Sequence, residues 1–500
     1  MPITVAAGLA AITLAALVLR MVTLGEQSYW VDESYTVHLV RLGFGSMLST
    51  IPRTESTPPL YYVLAWCWRH AFGTGEVGLR SLSALAGTGS VLLGGLIGRR
   101  LAGPRAALIT ALLLAVSPLL VWFSQEARAY ALATLLTAAA LLFLLRYAEA
   151  RRPRDLAGWA VTAALALCTH YFTAFVILPG AVWLAVTGRR SPAARTALVV
   201  VGAAAAALVP LALAQRGTGN ANYIAIGSLS IRLLQIPKQM LIGYASPGQV
   251  ITAGLAAVLL LAGVAPALRA GWARVPAAAA RAGGRSLPAA RPARVPLAAG
   301  LIAGAAVAGV LLPVLLALVG IDFIDTRNLL ATLPAFAALA AAGLSAPASG
   351  RLGAWCAAGL AVVSLAVVAL VDTHPAYQRI NWRGAVQALG PLTEPRVIVI
   401  NPQASLPPVR AYAPDARLLS GAIAVRELEY VEVPGGTVPL PPPAPITIPP
   451  PAGFVRVAGG VRTGYSFLRF RSARPVTVTA AQLGALPLGR DRIVLVQTPR

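Results

Sequence analysis

LRSLSALAGTGSVLLGGLIGRRLAGPRAALITALLLAVSPLLVWFSQEARAYALATLLTAAALLFLLR, residues 79–146, contains three apolar runs near twenty residues each, separated by short polar turns. A helix needs about 20 apolar residues to cross ~30 Å of hydrocarbon. The stretch therefore reads as three consecutive membrane spans, at 79–98, 106–123 and 128–146. The same pattern continues on both sides, at 3–20, 156–169, 172–188, 195–214, 249–268, 296–318, 328–347 and 353–371, which predicts about eleven spans. Residues 3–20 lack a basic leader region and a cleavage site, and read as a retained first span. Glycine and alanine within the spans read as packing residues that let helices approach closely.

Composition agrees with this reading. Hydrophobic residues make up 57% of the 500 and charged residues only 12%, against about 25% charged in soluble domains. The net charge of +24 comes almost wholly from arginine, gathered in short clusters between the spans. Topology and anionic headgroups account for such clusters, so nucleic acid is not expected as a partner. Cys67, Cys168 and Cys356 show no metal-ligand spacing and read as small buried hydrophobes. No Walker loop is present, which argues against an internal ATPase.

Arginine placement sets the expected orientation. The clusters Arg99–Arg105, Arg146–Arg154 and Arg189–Arg195 and the loop 269–294 are expected on the cytoplasmic side. Loops 21–78, 124–127, 170–171, 215–248 and 319–327 and the C-terminal segment then face outside. Residues 58–72, PPLYYVLAWCWRHAF, are too short to span and rich in aromatics, so they read as a helix lying along the outer interface. From about residue 372 acidic residues return and long apolar runs cease. We read 1–371 as the membrane domain and 372–500 as a small α/β domain outside the membrane. Val397–Ile400 and Ile493–Val496 read as strands, Asn381–Leu389 as a short helix, and the proline-rich stretch 438–451 as extended chain.

Charge is costly near a bilayer and marks function when present. Asp32 and Glu33, in SYWVDESYT, lie just past the first span on the outer side, where a general base could reach an acceptor hydroxyl. Glu126 and Arg128, in SQEARAYAL, occupy a turn on the same side and could share a cavity. His170 and Tyr171 sit at a third outer turn. Asp322, Asp325 and Arg327, in IDFIDTRNLL, precede a late span, and an arginine fork there suits a phosphate. Glu55 opens the interfacial helix, where it could position a substrate or cap the helix. Lys238, the only lysine, is a weaker candidate. Asp32, Glu33 and Glu126 could hold magnesium or manganese, but three carboxylates without defined geometry favour chemistry without a metal.

This ordered set resembles the GT-C superfamily of membrane glycosyltransferases, and within it the protein-mannosyltransferase and aminoarabinose-transferase group. The resemblance covers roughly residues 1–371. It rests on VDESYT, on TPPLYYVLAWCWRHAFG followed by GLRSLSALAG, on SQEARAYAL, on CTHYF and on DTRNLL, with INWRGAVQAL similar to the stretch after the last span in bacterial members. It implies a polyprenyl-phosphate-linked sugar as donor, an active site outside the membrane and inversion at the anomeric carbon. Carried over residue by residue, Asp32 matches the expected base and Glu33 its neighbour. Glu126 and Arg128 match the second acidic loop, and Arg327 the donor-phosphate contact. Glu55, Tyr61, Tyr130, His170 and Tyr171 are expected to line the substrate site. Many bacterial relatives carry histidine before the Pro-Pro pair, where this chain has Thr57. Mannose is the sugar the resemblance suggests, and the acceptor is a protein, lipid or glycan hydroxyl. A lipid or solute transporter is the alternative class. It fits less well, because the acids gather at one face and the spans are nearly free of charge.

Overall fold

The computed structural model describes residues 2–271, 294–402, 406–435, 439–484 and 492–499. The chain forms two compact units. One comprises Met1–Leu24 and Leu42–Ala369, the other Gly25–Arg41 and Leu370–Arg500.

In chain order the helices are α1 (Ile3–Met21), α2 (Val31–Arg41), α3 (Phe44–Thr54), α4 (Leu60–Phe72), α5 (Glu76–Val116), α6 (Pro118–Ser124), α7 (Tyr130–Ala150), α8 (Pro153–Leu167), α9 (Thr173–Thr187), α10 (Pro192–Gly217), α11 (Leu229–Ile242), α12 (Gln249–Arg269) and α13 (Arg294–Leu318). A 3₁₀ turn, Thr326–Thr332, leads into α14 (Leu333–Leu344), and α15 (Gly350–Thr373) follows. Among the described residues, eight helical segments are long and apolar enough to cross a membrane. Counting α5 as two and adding the shorter α8 and α9 gives the eleven expected segments. The protein is a multi-pass membrane protein. The arginine-rich loop expected at 269–294 lies almost wholly outside the described residues.

The helix α5 folds back on itself. Ala102 and Gly103 leave helical geometry, Gly103 at φ +86°, and Pro104 restarts the helix. Glycines then let the two halves meet: a β-carbon on Gly98 would lie 2.8 Å from the Ala106 carbonyl oxygen. The run expected as one span at 106–123 is instead broken at Ser117. A residue before proline is pushed away from the helical region, and Ser117 Oγ accepts from Leu120 N to start α6. The carbonyls left open at the end of α5 are taken by the buried Arg20. It donates to Leu114 O at 3.1 Å, Ala115 O at 2.9 Å and Ser124 Oγ at 3.1 Å. That satisfies an arginine which would otherwise be expensive inside a membrane.

Helices α5, α7 and α14 form the centre of the bundle, while α10 and α12 leave Val199, Leu213, Ile251 and Leu261 exposed as an apolar, lipid-suited face. The aromatic helix α4 has thirteen residues. It rises only about 20 Å, short of a bilayer's hydrocarbon.

In the second unit, α16 (Trp382–Gln387) and α17 (Leu406–Tyr412) accompany a six-stranded sheet. Its strands are β1 (Arg396–Asn401), β2 (Arg417–Leu418), β3 (Ala422–Glu432), β4 (Val455–Arg462), β5 (Tyr465–Thr479) and β6 (Ile493–Gln497), in the order β2-β6-β1-β3-β5-β4. Among the described residues, only β1 and β3 pair in parallel. Trp382, Ile398, Ile400, Val409 and Leu495 fill one side of the sheet. On the other, Ile446 and Ile448 of the proline-rich stretch join Val399, Tyr430 and Phe470. That stretch is extended over 439–451, as its composition predicts, and Val438 lies outside the described residues.

Residues 25–41 belong to this unit through specific hydrogen bonds. Ser28 Oγ donates to Ile380 O at 2.6 Å and accepts from Trp382 N at 3.0 Å. Arg383 donates to Gly25 O and Glu26 O at 2.9 and 2.8 Å. The Tyr29 amide donates to Tyr412 Oη at 2.6 Å. The stretch INWRGAVQAL is thus where residues 25–29 attach.

Candidate functional site

The site is built in the membrane unit, where three turns and one linker meet at one end of the helices. The linker joins α3 to α4. Helix α3 ends at Thr54, and Pro58-Pro59 prevent its continuation, leaving Glu55 extended. Its carboxylate is 2% exposed. Glu55 Oε2 accepts from Tyr62 Oη at 2.5 Å and from Arg128 Nη1 at 2.8 Å. Tyr62 Oη also lies 2.9 Å from Thr57 Oγ1, and the Arg128 guanidinium stands 5.7 Å from the Tyr62 ring centre. Burial raises the Tyr62 phenol well above its ordinary range, against the pull of Arg128. The phenol therefore stays protonated and donates to Glu55.

Arg128 sits in the turn between α6 and α7 with Glu126, and both are buried. The turn is tight: Arg128 N donates to Glu126 O at 2.7 Å. Ser83 Oγ donates to Arg128 O at 3.4 Å and lies 2.9 Å from Tyr61 Oη. Tyr61 is fully buried and holds the backbone of this turn through Ser83.

His170 lies in the turn between α8 and α9, 5% exposed, its ring 5.5 Å from that of Tyr130. Burial is the main force depressing it, to about 3, followed by the fields of Arg128 and then Arg327; a hydrogen bond with Asn328 opposes them. Its Nδ1 accepts from Phe172 N at 3.3 Å, so the neutral ring carries its proton on Nε2. The histidine is thus an uncharged group that feels the fields of two arginines. Beside it, Tyr171 Oη donates to Gln215 Oε1 at 2.7 Å, and burial lifts its phenol to about 12.

Arg327 is the second residue of the 3₁₀ turn that Asp325 caps. Its Nε is 3.2 Å from Asp325 Oδ2, and its side chain donates to the Tyr223 hydroxyl. Its backbone N–H donates to Tyr244 Oη at 3.0 Å, and Tyr244 donates in turn to Asp325. Asp322 is committed elsewhere, to Arg232 on α11 at 2.8 Å, and that partnership holds its carboxyl below the usual range. Lys238 donates to Gln249 Oε1 at 2.5 Å.

The expected pair on the first outer loop belongs to the other unit. Asp32 and Glu33 form the first turn of α2, which packs with residues 370–500. Glu33 is buried and its Oε2 accepts from Trp30 N at 2.9 Å, an N-terminal cap. Asp32 is half-buried. The structure brings Glu55, Arg128, His170, Tyr130 and Arg327 into one neighbourhood and adds Tyr62, Asn328, Tyr244 and Gln215. Tyr62 is the third residue of α4, among the aromatics that mark this helix in the sequence. Asn328 follows Arg327 directly in DTRNLL, whereas Tyr244 and Gln215 lie in stretches that carry no local signal. Among the described residues, no three of His, Cys, Asp and Glu are grouped so as to hold a metal ion.

Residues 56–213 match the family model of dolichyl-phosphate-mannose-protein mannosyltransferases. The match takes in Tyr62, Arg128 and His170 and ends before Arg327. The whole chain compares with ArnT from Cupriavidus metallidurans bound to undecaprenyl phosphate at a TM-score of 0.51, with 15% identity over 92% of this chain and 97% of that one. The chain has the GT-C fold. The apo form of ArnT aligns over 68% of this chain and 60% of its own, at 20% identity and a TM-score of 0.42. The archaeal oligosaccharyltransferase AglB from Archaeoglobus fulgidus, in complex with an inhibitory peptide and a dolichol-phosphate, aligns at 13% identity and a TM-score of 0.48, over 82% of this chain and 64% of that one. A search of curated protein sequences finds no match. On this GT-C fold the Glu55–Arg128 pair falls on the linker before α4 and on the turn before α7, and Arg327 on the approach to α14.

Proposed function

We propose that this chain is an inverting glycosyltransferase that moves a sugar, mannose by family likeness, from a polyprenyl-phosphate donor to an acceptor hydroxyl outside the cytoplasm. One observation carries the reading: Arg128 and Arg327 stand on turns joined by a chain of contacts, in which Tyr130 lies 5.5 Å from the His170 ring and 4.9 Å from that of Phe123, Phe123 lies 5.8 Å from Tyr244, and the Tyr244 hydroxyl accepts from Arg327 N at 3.0 Å. Two cations at the end of a membrane bundle suit a lipid-borne phosphate. The structure of ArnT bound to undecaprenyl phosphate supports a donor of that class.

The reaction is a single in-line displacement. Asp32 takes the acceptor hydroxyl proton, the oxygen attacks the anomeric carbon, and the bond from that carbon to the phosphate oxygen breaks. The lipid phosphate departs as an anion, so no strong general acid is required. Arg327 and Arg128 stabilise its growing charge. Each such preorganised donor is worth about 10²–10³ in rate, and the base about 10²–10⁴. Glu55, held by Tyr62, keeps Arg128 aimed. Glu126 serves as the second acid of the site. The prenyl tail lies between spans, and transfer proceeds without a metal, so chelator leaves the rate unchanged.

The test is the purified chain in vesicles with mannosyl polyprenyl phosphate and a hydroxyl acceptor. Asp32→Asn abolishes transfer and keeps donor binding. Wild-type turnover in that variant removes Asp32 from the mechanism. Movement of the lipid without transfer identifies a transporter instead. Mass spectrometry of the copurifying lipid names the sugar.

A further inference from the structure

Helix α10 offers its neighbours mostly alanine and valine: its buried residues are Ala194, Ala197, Val201 and one polar side chain, Gln215. A buried carboxamide is retained at the end of a span only when its hydrogen bonds are met. Gln215 meets them across two separate chain segments. Its Nε2 donates to Thr57 O at 3.0 Å and reaches Ile51 O at 3.5 Å. Its Oε1 accepts from Tyr171 Oη at 2.7 Å. The amide orientation is fixed, because both carbonyls can only accept.

The first segment is the linker that carries Glu55. Ile51 O also accepts from Glu55 N at 3.1 Å, and Thr57 Oγ1 lies against Tyr62, the second holder of the Glu55 carboxylate. The second segment is the turn that carries His170. A backbone bond, Leu60 N to Cys168 O at 3.0 Å, ties the same two segments at a neighbouring point. Gln215 and this bond form a two-point brace between the linker and the turn. Gln215 itself touches neither Glu55, Arg128 nor His170 through any of these bonds.

We infer that Gln215 is a positioning residue, which sets the Glu55–Arg128 pair against His170 by clamping the 51–57 segment to the Tyr171 turn. The inference rests on reading that pair as part of the donor-phosphate site. Misplacing a binding group by about 1 Å from outside the chemistry costs about 10²-fold in rate.

Two variants of the full chain in vesicles test it. Gln215→Leu keeps the bulk and loses all three bonds. Gln215→Glu, when protonated, accepts from Tyr171 and donates to Thr57 O; when ionised, it repels that carbonyl. With mannosyl polyprenyl phosphate as probe, Gln215→Leu is expected to lose about 10²-fold in kcat with the donor KM little changed. Gln215→Glu is expected to regain activity, relative to wild type, as pH falls from 8 to 5.5. Wild-type kcat in the leucine variant overturns the inference, as does a glutamate variant that follows the leucine variant at every pH. If the leucine variant does not assemble, the pH profile of the glutamate variant decides alone. Amide hydrogen exchange over residues 51–60 separates this inference from the functional reading. If the wild-type chain transfers no sugar, lost protection in Gln215→Leu and its return in Gln215→Glu at low pH still uphold the clamp. Unchanged protection ends it.

Discussion

Two regions of the molecule pair arginine with a buried carboxylate, and they do so in different ways. On the C-terminal sheet the partners are neighbours by register. Glu427 faces Arg471 and Glu429 faces Arg469 across β3 and β5, and Arg396 of β1 faces Glu427. Arg471 Nη2 to Glu427 Oε2 is 2.8 Å, Arg469 donates to Glu429, and Arg396 and Arg469 also take the Leu389 and Ala388 carbonyls behind α16. The strand lattice alone delivers these pairs. In the membrane unit Glu55 and Arg128 are 73 residues apart and lie on irregular chain. No lattice places them, and a tyrosine, a neutral histidine and a second arginine gather around them. A buried ion pair is weak evidence of function by itself. Convergence from several turns onto one neutral titratable group is stronger.

The widest break in the comparison is expected from the arginines of the membrane unit. Arg327→Ala and Arg128→Met should each lower kcat about 10²–10³-fold in the vesicle transfer assay. Arg327→Lys should recover only part of the loss, since lysine keeps the charge and not the fork. Either arginine behaving as wild type would place that pair with the sheet's structural pairs.

Next in size is a contrast of paired replacements. Glu55→Leu alone removes the carboxylate 2.8 Å from the buried Arg128 and should destabilise the chain, by up to about 3–5 kcal/mol. Adding Arg128→Met should return most of the melting temperature and none of the transfer. The matching double replacement on the sheet, Glu429→Leu with Arg469→Met, should return stability and leave transfer within about two-fold. Transfer lost in the sheet double variant would erase the distinction.

The smallest effects are of opposite sign with pH. His170 is depressed from 6.5 to about 3. The unfolded chain takes up that proton first, so stability is full above 6.5 and declines as pH falls toward 3. Glu429 is raised from 4.5 to about 8, its burial outweighing Arg469. Its contribution is full below 4.5 and is lost as pH rises through 8. In thermal melts His170→Asn should flatten the acid side and Glu429→Gln the alkaline side. At pH 7, Glu429→Gln should cost little. The reverse assignment of slopes would contradict both environments.

The membrane bundle was legible because twenty-residue apolar runs admit few alternatives. The same holds for β1, β6 and the short helix after Asn381, which stand out where apolar runs shorten. Glu55, Glu126, Arg128, His170 and Arg327 were legible because charge is rare near a bilayer. What stayed hidden depended on single long-range bonds. Residues 25–41 leave the outer loop for the C-terminal unit through Ser28, Tyr29 and the carbonyls of Gly25 and Glu26, none of which makes a pattern. Asp322 and Asp325 look alike in IDFIDTR, yet one is taken by Arg232 and the other caps Arg327's turn. Ser117 interrupts a run whose composition continues smoothly, because a local proline rule overrides hydropathy there.

The account rests on Arg128 and Arg327 serving one phosphate. A structure of the full chain in nanodiscs with undecaprenyl phosphate tests this directly. The account predicts phosphate oxygens within about 3 Å of both guanidinium groups, beside a neutral His170. A phosphate bound while touching neither arginine, or only one of them, would contradict it.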